Sequence, residues 1–202
     1  MDPERKMILE PVTLHGTHVR LEPLSLAHVP ALAGVGLDPE LWRWIPSGVA
    51  SADEMRAYVE QALDEQRRGV ALPFAIVDQT DDQVIGSTRF GNIDQANRRL
   101  EIGWTWLTPS RQRTGANTEA KRLLLTHAFE TLGAYRVEFK TDALNTKSRQ
   151  AILRLGAVEE GTLRRHTIVR VTGRVRDTVY FSILDTEWPT IKARLSGLGR
   201  AR

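Results

Sequence analysis

Cysteine is missing from this sequence altogether. Disulfides, thiolate metal sites and a cysteine nucleophile are therefore excluded. Long apolar runs are missing too, since none reaches the ~18 residues that a membrane-spanning helix needs. The first residues, Met1 to Lys6, also lack the apolar core of a signal peptide. We therefore expect a cytoplasmic protein that makes no membrane contact.

A large excess of charge is also absent. The net charge is +3, and lysine and arginine form no long block. Nucleic-acid binding usually needs a denser basic stripe with interleaved aromatic residues, so we expect no nucleic-acid partner. The five histidines show no metal-site spacing, and we expect no metal. The length of 202 residues and the 41% apolar content are those of one ordinary globular domain.

Hydrophobic periodicity predicts a mixed chain of strands and helices. Two short strands are expected within 12–23, and further strands at 72–78, 84–92, 99–107, 135–140, 158–171 and 176–184. Helices are expected at 25–32, 53–68, from Gly115 to Phe129, at 146–155 and at 186–198. The order ββ-α-α-βββ-α-β-α-ββ-α predicts an α/β (α+β) fold with an open sheet and helices on both faces.

The segment Gln112-Arg113-Thr114-Gly115-Ala116-Asn117 follows a predicted strand and opens a helix. The first amides of a helix have no intrahelical acceptor, and the helix dipole favours an anion there. Gly115 would let a diphosphate approach the backbone closely. Polar, glycine-containing helix starts are common, however, and the segment matches neither a Walker P-loop nor a dinucleotide fingerprint. By itself it indicates either an anion site or a simple turn.

A family resemblance adds to this interpretation. Gln112-x-x-Gly115-x-Asn117 resembles the Gln/Arg-x-x-Gly-x-Gly/Ala signature of the GNAT acetyltransferases, with Asn117 as a departure. The segments Asn145-Thr146-Lys147-Ser148, Leu155-Gly156-Ala157 and Glu160-Gly161-Thr162 resemble the RimJ/RimL-like branch, which acetylates N-termini of ribosomal proteins. The resemblance covers about residues 12–188, which we take as one domain, with 189–202 as a helix end and basic tail. It implies a mostly antiparallel sheet of about seven strands.

The resemblance implies acetyl-CoA as co-substrate. Its diphosphate would bind the loop that comprises Gln112, Arg113, Thr114, Gly115, Ala116, Asn117 and Thr118. Its pantetheine arm would run along Trp106 and Leu107, where a splayed neighbouring strand leaves backbone groups unpaired, and would contact Asn145. Ser148 would lie near the sulfur. Asn145 is also explained as the helix N-cap alone, a position that asparagine favours.

The catalytic groups follow less directly from the family pattern. Many members carry a tyrosine as general acid where this chain has Ile152, so Ser148 is the nearest substitute. Glu101 and Glu160 are the candidate general bases, and either is equally explained as a salt-bridge partner; Asp142 is a weaker third candidate. Trp42 and Trp44 lie where this branch often forms the acceptor wall, although local packing or dimer contacts would also explain them.

The leading hypothesis is an N-acetyltransferase that acts by direct transfer to a primary amine, either a protein or peptide N-terminus or a small amine. A non-catalytic acyl-CoA-binding or sensing module is the first alternative, and Ile152 is its best support. A nucleotide- or RNA-binding domain is a remote third alternative. The oligomeric state stays open, a homodimer through the late strands and C-terminal helix being one arrangement.

Overall fold

The computed structural model describes residues 7–198. Its strands are β1 (Leu14–His15), β2 (Val19–Pro23), β3 (Leu72–Asp78), β4 (Val84–Asp94), β5 (Arg99–Leu107), β6 (Arg136–Asp142), β7 (Val158–Val169) and β8 (Arg174–Leu184). Its α-helices are α1 (Val29–Gly36), α2 (Pro39–Trp42), α3 (Ala52–Arg67), α4 (Ala116–Thr126), α5 (Thr146–Leu155) and α6 (Trp188–Leu198). The α/β (α+β) prediction is confirmed, with eight strands where about seven were expected. The basic tail predicted at the C-terminus extends over 199–202, outside the described residues.

All strands belong to one sheet with the order β1-β2-β3-β4-β5-β6-β8-β7. Neighbours are antiparallel except for β5 and β6, which are parallel and are connected through α4. This parallel pairing is short, because Arg99–Glu101 face Arg136–Glu138 and no further pair forms between the two strands. The second half of β5 therefore runs along the sheet without a hydrogen-bonded neighbour on its β6 side.

A β-bulge interrupts β5 where it leaves β6. Ser87 of β4 pairs with Trp106, whereas Arg89 pairs with Gly103, so that two β5 residues face one residue of β4. Trp104 adopts a positive φ of 50° within the bulge. A bulge of this kind bends the strand and turns the following side chains to the other face.

The bulge changes which face of the sheet the β5 side chains occupy. Simple alternation places Trp104 and Trp106 on the face of Leu100 and Ile102, opposite Glu101. In the structure Leu100 and Ile102 belong to the apolar core that packs against α4, α5 and α6. Trp106 belongs instead to a second core between the sheet and α1 to α3. We call these two sides the α4 face and the α3 face.

Local sequence signals explain where several helices begin and end. Ser51 caps α3, with its Oγ accepting the N–H of Glu54 at 3.2 Å. Helix α5 ends at Gly156, whose φ of 102° suits glycine. The short helix α2 was not predicted. Among residues 7–198, no helix combines the length and apolarity needed to cross a bilayer.

Candidate active site

The loop before α4 exposes the first amides of that helix. Gly115 occupies the N-cap position with φ 91°, and no side chain caps the helix. A Cβ built on Gly115 would meet no atom within 4 Å, so the space above the backbone is open. Free N–H groups, a helix dipole and open space together make this loop suited to a diphosphate.

Two side chains of the loop donate hydrogen bonds to nearby backbone carbonyls. Gln112 donates its Nε2 to the Leu107 carbonyl at 3.0 Å, and Thr114 donates its Oγ1 to the Arg111 carbonyl at 2.8 Å. Asn117 is the second residue of α4 and does not cap it, because Gly115 holds the cap position. The backbone from Arg113 to Thr118, rather than these side chains, therefore offers the donors.

The gap between β5 and β6 provides a slot beside this loop. Trp106 pairs with Ser87 and Leu107 pairs with Gly86, both on β4, while neither pairs with β6. Backbone groups that face an open strand edge can bind an extended amide chain in the manner of an added strand. The geometry therefore fits the predicted contact of a pantetheine arm with the backbone of Trp106 and Leu107.

The start of α5 carries two of the predicted side chains. Asn145 caps the helix, since its Oδ1 accepts the N–H of Ser148 at 3.1 Å, which leaves its Nδ2 as a donor. The Ser148 hydroxyl is half-buried and makes no hydrogen bond with any residue of 7–198. Ile152 is buried in the core on the α4 face. Ser148 is therefore the partly buried hydroxyl that this helix offers, whereas that of Thr146 is exposed.

Glu101 lies on the α3 face at the point where β5 leaves β6. Its side chain is buried and curls over Gly103, where a Cβ would meet Oε1 at 2.8 Å. Oε2 accepts hydrogen bonds from Asn92 Nδ2 at 2.6 Å and from Lys140 Nζ at 2.9 Å. These contacts hold a carboxylate next to the bulge.

Glu160 and Asp142 each form an ion pair with an arginine. Arg136 donates hydrogen bonds to both carboxylate oxygens of Glu160, and the Ser182 hydroxyl donates to Oε1 at 2.8 Å. The hydrogen bonds from Arg136 are the main reason why the pKa of Glu160 falls to about 2. The fully buried Asp142 pairs with Arg174. Both carboxylates are explained by these structural ion pairs, and Glu160 is a weak base.

The two candidate acceptor-wall tryptophans differ in burial. Trp42 is 0% exposed, donates its Nε1 to the Gly36 carbonyl and packs against Trp106, so it is unavailable to an acceptor. This corrects its assignment as a substrate-binding residue. Trp44 is half-exposed, and the guanidinium groups of Arg43 and Arg174 lie over its ring. Only Trp44 of the pair remains a candidate acceptor contact.

Lys121 was not among the residues predicted for the site. This lysine is 7% exposed, and the only described hydrogen-bond partner of Nζ is Thr105 Oγ1 at 2.5 Å. Thr105 lies on the bulge of β5 and also contacts Thr88. Burial lowers the pKa of Lys121 to about 7, although nearby Glu101 opposes the shift. Its position beside Ala120 and one turn before Leu125, on the apolar stripe of α4, could have revealed it.

Replacing Lys121 with methionine is expected to stabilise the fold by about 1–4 kcal/mol at or below neutral pH. The folded-state pKa of about 7 lies below the ordinary value of 10.5. The unfolded chain thus binds more protons between these values, and wild-type stability rises with pH there. The gain from Lys121→Met should shrink over the same range. Urea unfolding at about pH 6 and about pH 9 measures this, and a gain that grows with pH would contradict it.

Glu119 was also overlooked. Its carboxylate accepts the backbone N–H groups of Thr17, His18 and Val19, at 2.9, 2.7 and 2.9 Å. These bonds connect the turn between β1 and β2 to the first turn of α4. Gly16 permits the contact, because a Cβ there would meet the Glu119 carboxylate at 2.5 Å. The role of Glu119 is therefore to hold α4 in place beside the loop.

Comparisons with known proteins identify the family of this chain. Residues 18–158 match the family model of the acetyltransferase (GNAT) domain. The chain is 29% identical to the uncharacterized N-acetyltransferase p20 of Bacillus licheniformis over 177 residues, which cover 87% of this chain and 98% of p20. It is 32% identical to the ribosomal-protein-serine acetyltransferase of Escherichia coli K12 over 120 residues, or 59% and 65% of the two chains.

A solved structure extends the match to nearly the whole fold. Mycobacterium smegmatis RimJ, in complex with CoA-disulfide, superposes with a TM-score of 0.83 at 28% identity, covering 94% of this chain and 96% of RimJ. The family resemblance carried by the motifs is thus confirmed. The chain belongs to the GNAT family of N-acetyltransferases, among relatives named for ribosomal-protein acetylation.

Proposed function

We propose that this enzyme transfers the acetyl group of acetyl-CoA directly to a primary amine, either a protein or peptide N-terminus or a small amine. The observation that carries the proposal is the arrangement of three features along and beside β5, in the middle of the sheet. These are the uncapped start of α4, the gap between β5 and β6, and the buried carboxylate of Glu101. The names of its relatives favour a protein acceptor in the cytoplasm.

Each residue then has a role in the proposed reaction. Acetyl-CoA supplies the acetyl group as an activated thioester, and the backbone from Arg113 to Thr118 holds its diphosphate. Glu101, directly or through water, removes the proton that the amine must lose before it attacks. A backbone N–H near Trp106 polarises the carbonyl, and Ser148 donates a hydrogen bond towards the leaving sulfur. With no cysteine in the chain, no acetyl-cysteine intermediate forms.

A homodimer is part of the proposal. Strand β7 is the last strand of the sheet, and nearly all of it is exposed. Its apolar residues Val158, Leu163 and Ile168 are each about half-exposed or more. Long exposed edge strands are sites of strand pairing and association. Sedimentation velocity that detects only monomer at micromolar concentration would contradict this.

A non-catalytic acyl-CoA-binding module is the second candidate, favoured by Ile152 in the place of the usual tyrosine. Calorimetry with CoA, followed by thiol release from acetyl-CoA, separates the two. The enzyme should bind CoA and release thiol with at least one member of a panel of N-terminal peptides and small amines. CoA binding without turnover on the whole panel would favour the module instead.

A further inference from the structure

Arg176 is a buried cation without an anionic partner on the α3 face. It is 6% exposed and lies on β8, near the end of β6. Its Nε donates to Thr178 Oγ1 at 2.9 Å, and its Nη1 donates to the Trp44 carbonyl at 3.1 Å. No carboxylate of residues 7–198 lies within ion-pair distance of it. A guanidinium has five N–H donors, so this one retains donors for a ligand.

Two neighbouring cations on the α3 face are paired. Lys140 binds Glu101 at 2.9 Å, and Arg174 binds Asp142. Burial lowers the pKa of Arg176, and the nearby carboxylates of Asp142 and Glu101 oppose that effect without contacting it. Buried charges are costly unless they are paired. Among these three cations of the α3 face, Arg176 is therefore the one that lacks a counterion.

The surroundings of Arg176 place it at the acceptor side of the candidate site. The Trp44 carbonyl that it binds belongs to the segment between α2 and α3. The same segment meets the β7–β8 hairpin, where Arg170 donates its N–H to the Pro46 carbonyl at 3.2 Å. Lys140, which binds Glu101, is the register partner of Tyr180 on β8, the strand that carries Arg176, so both charges lie on the α3 face. This region is separate from the α4 loop that fits the diphosphate.

We propose that Arg176 binds a carboxylate of the acceptor, and that the acceptors of this enzyme are amines that carry a carboxylate near the amino group. Arginine suits this role because its planar donors match a carboxylate with two parallel hydrogen bonds. The carboxylate has two sources, an acidic side chain in the first residues of a peptide or the α-carboxylate of a free amino acid. The proposal rests on the proposed acetyl transfer, whereas a purely structural Arg176 would connect β8 to Trp44 and recognise nothing.

The test compares acceptors of matched size in which one carboxylate is replaced by an amide. Peptides with Asp or Glu in the first two positions are paired with their Asn or Gln counterparts, and free amino acids are paired with their amides. We expect wild type to favour the acidic peptide or the free amino acid by about tenfold or more in kcat/KM, the value of a charged hydrogen bond. Which pair shows the preference identifies the source of the carboxylate.

Substitution of Arg176 then assigns the preference. In Arg176→Gln the ratio should fall to about one, whereas Arg176→Lys should retain part of it. Arg164→Gln, which removes the same charge from an exposed site on β7, should keep the wild-type ratio. Calorimetry with CoA verifies that each variant is folded. Equal kcat/KM for both members of every pair in wild type, or an unchanged ratio in Arg176→Gln, would overturn the proposal.

Direct binding separates this inference from the proposed function. Calorimetry of the same acceptors with CoA-saturated protein measures the preference without turnover. If acidic acceptors bind more tightly but none is acetylated, the proposed transfer fails and the role of Arg176 stands. If acetylation proceeds without any charge preference, the proposed transfer stands and the role of Arg176 fails.

Discussion

Glu101→Gln should lower kcat for acetyl transfer by about 10²–10³, with little change in the affinity for CoA. The carboxylate is the proposed acceptor of the proton that the amine loses, and glutamine has the same shape but cannot take that proton. Asn92 and Lys140 both donate to Glu101, and the Glu101 side chain lies on the α3 face, away from the α4 loop. Steady-state thiol release and calorimetric titration with CoA measure the two quantities.

Two neighbouring acids serve as controls for Glu101. Glu138 lies on the neighbouring strand β6, is buried to a similar extent as Glu101 and pairs with Arg136 of the same strand. Glu138→Gln therefore matches the loss of a buried charge. Glu160 is held by Arg136 with a pKa of about 2, which makes it a poor base near neutral pH. Both control variants should retain more activity than Glu101→Gln. A larger loss in Glu160→Gln would transfer the role of base to that residue.

Gly115→Asp should weaken CoA binding by about 100-fold or more. The added carboxylate would lie above the free amides of α4 and repel the diphosphate. The φ of 91° also disfavours any side chain at this position. The dissociation constant of CoA, measured by calorimetry, reports the effect.

The chain offers a matched control for this substitution. Gly173 has φ 68° in the β7–β8 hairpin, and a Cβ there also meets no atom within 4 Å. Gly173→Asp therefore adds the same charge with a similar backbone cost, but away from the α4 loop. It should lose about 1 kcal/mol of stability, as Gly115→Asp does, and keep its affinity for CoA. Equal CoA affinity in both variants and wild type would show that the loop does not hold the diphosphate.

Local signals predicted most elements of the fold. The bounds 72–78, 99–107 and 146–155 agree with β3, β5 and α5, because turn residues or a helix-ending glycine delimit each segment. The loop that ends at Gly115 was recognised for the same reason, since the amides at a helix start depend on local conformation alone. These features need no knowledge of distant contacts.

The remaining features of the site depend on packing between distant segments. The bulge at Trp104 arises from a mismatch between β4 and β5, so alternation along β5 alone assigned the faces wrongly. The sequence around Trp42 was interpreted as a loop at the acceptor site, whereas in the fold α1, α3 and Trp106 enclose the Trp42 side chain. Lys121 and Arg176 are ordinary cations in sequence, and only the fold shows that one is buried against a hydroxyl and the other has no carboxylate beside it.

The short parallel pairing of β5 with β6 divides the sheet into two parts, β1 to β5 and β6 to β8, which we call the two plates. The paired residues Arg99–Glu101 and Arg136–Glu138 form the seam between them. On the α4 face, apolar residues from both plates, such as Leu100 and Val137, share one core. On the α3 face, the seam is crossed by the ion pairs Lys140–Glu101 and Arg99–Glu138. Water competes with the Arg99–Glu138 pair, whose arginine is partly exposed, whereas opening an apolar core is expensive. The contacts on the α4 face therefore contribute more to joining the two plates than the contacts on the α3 face do.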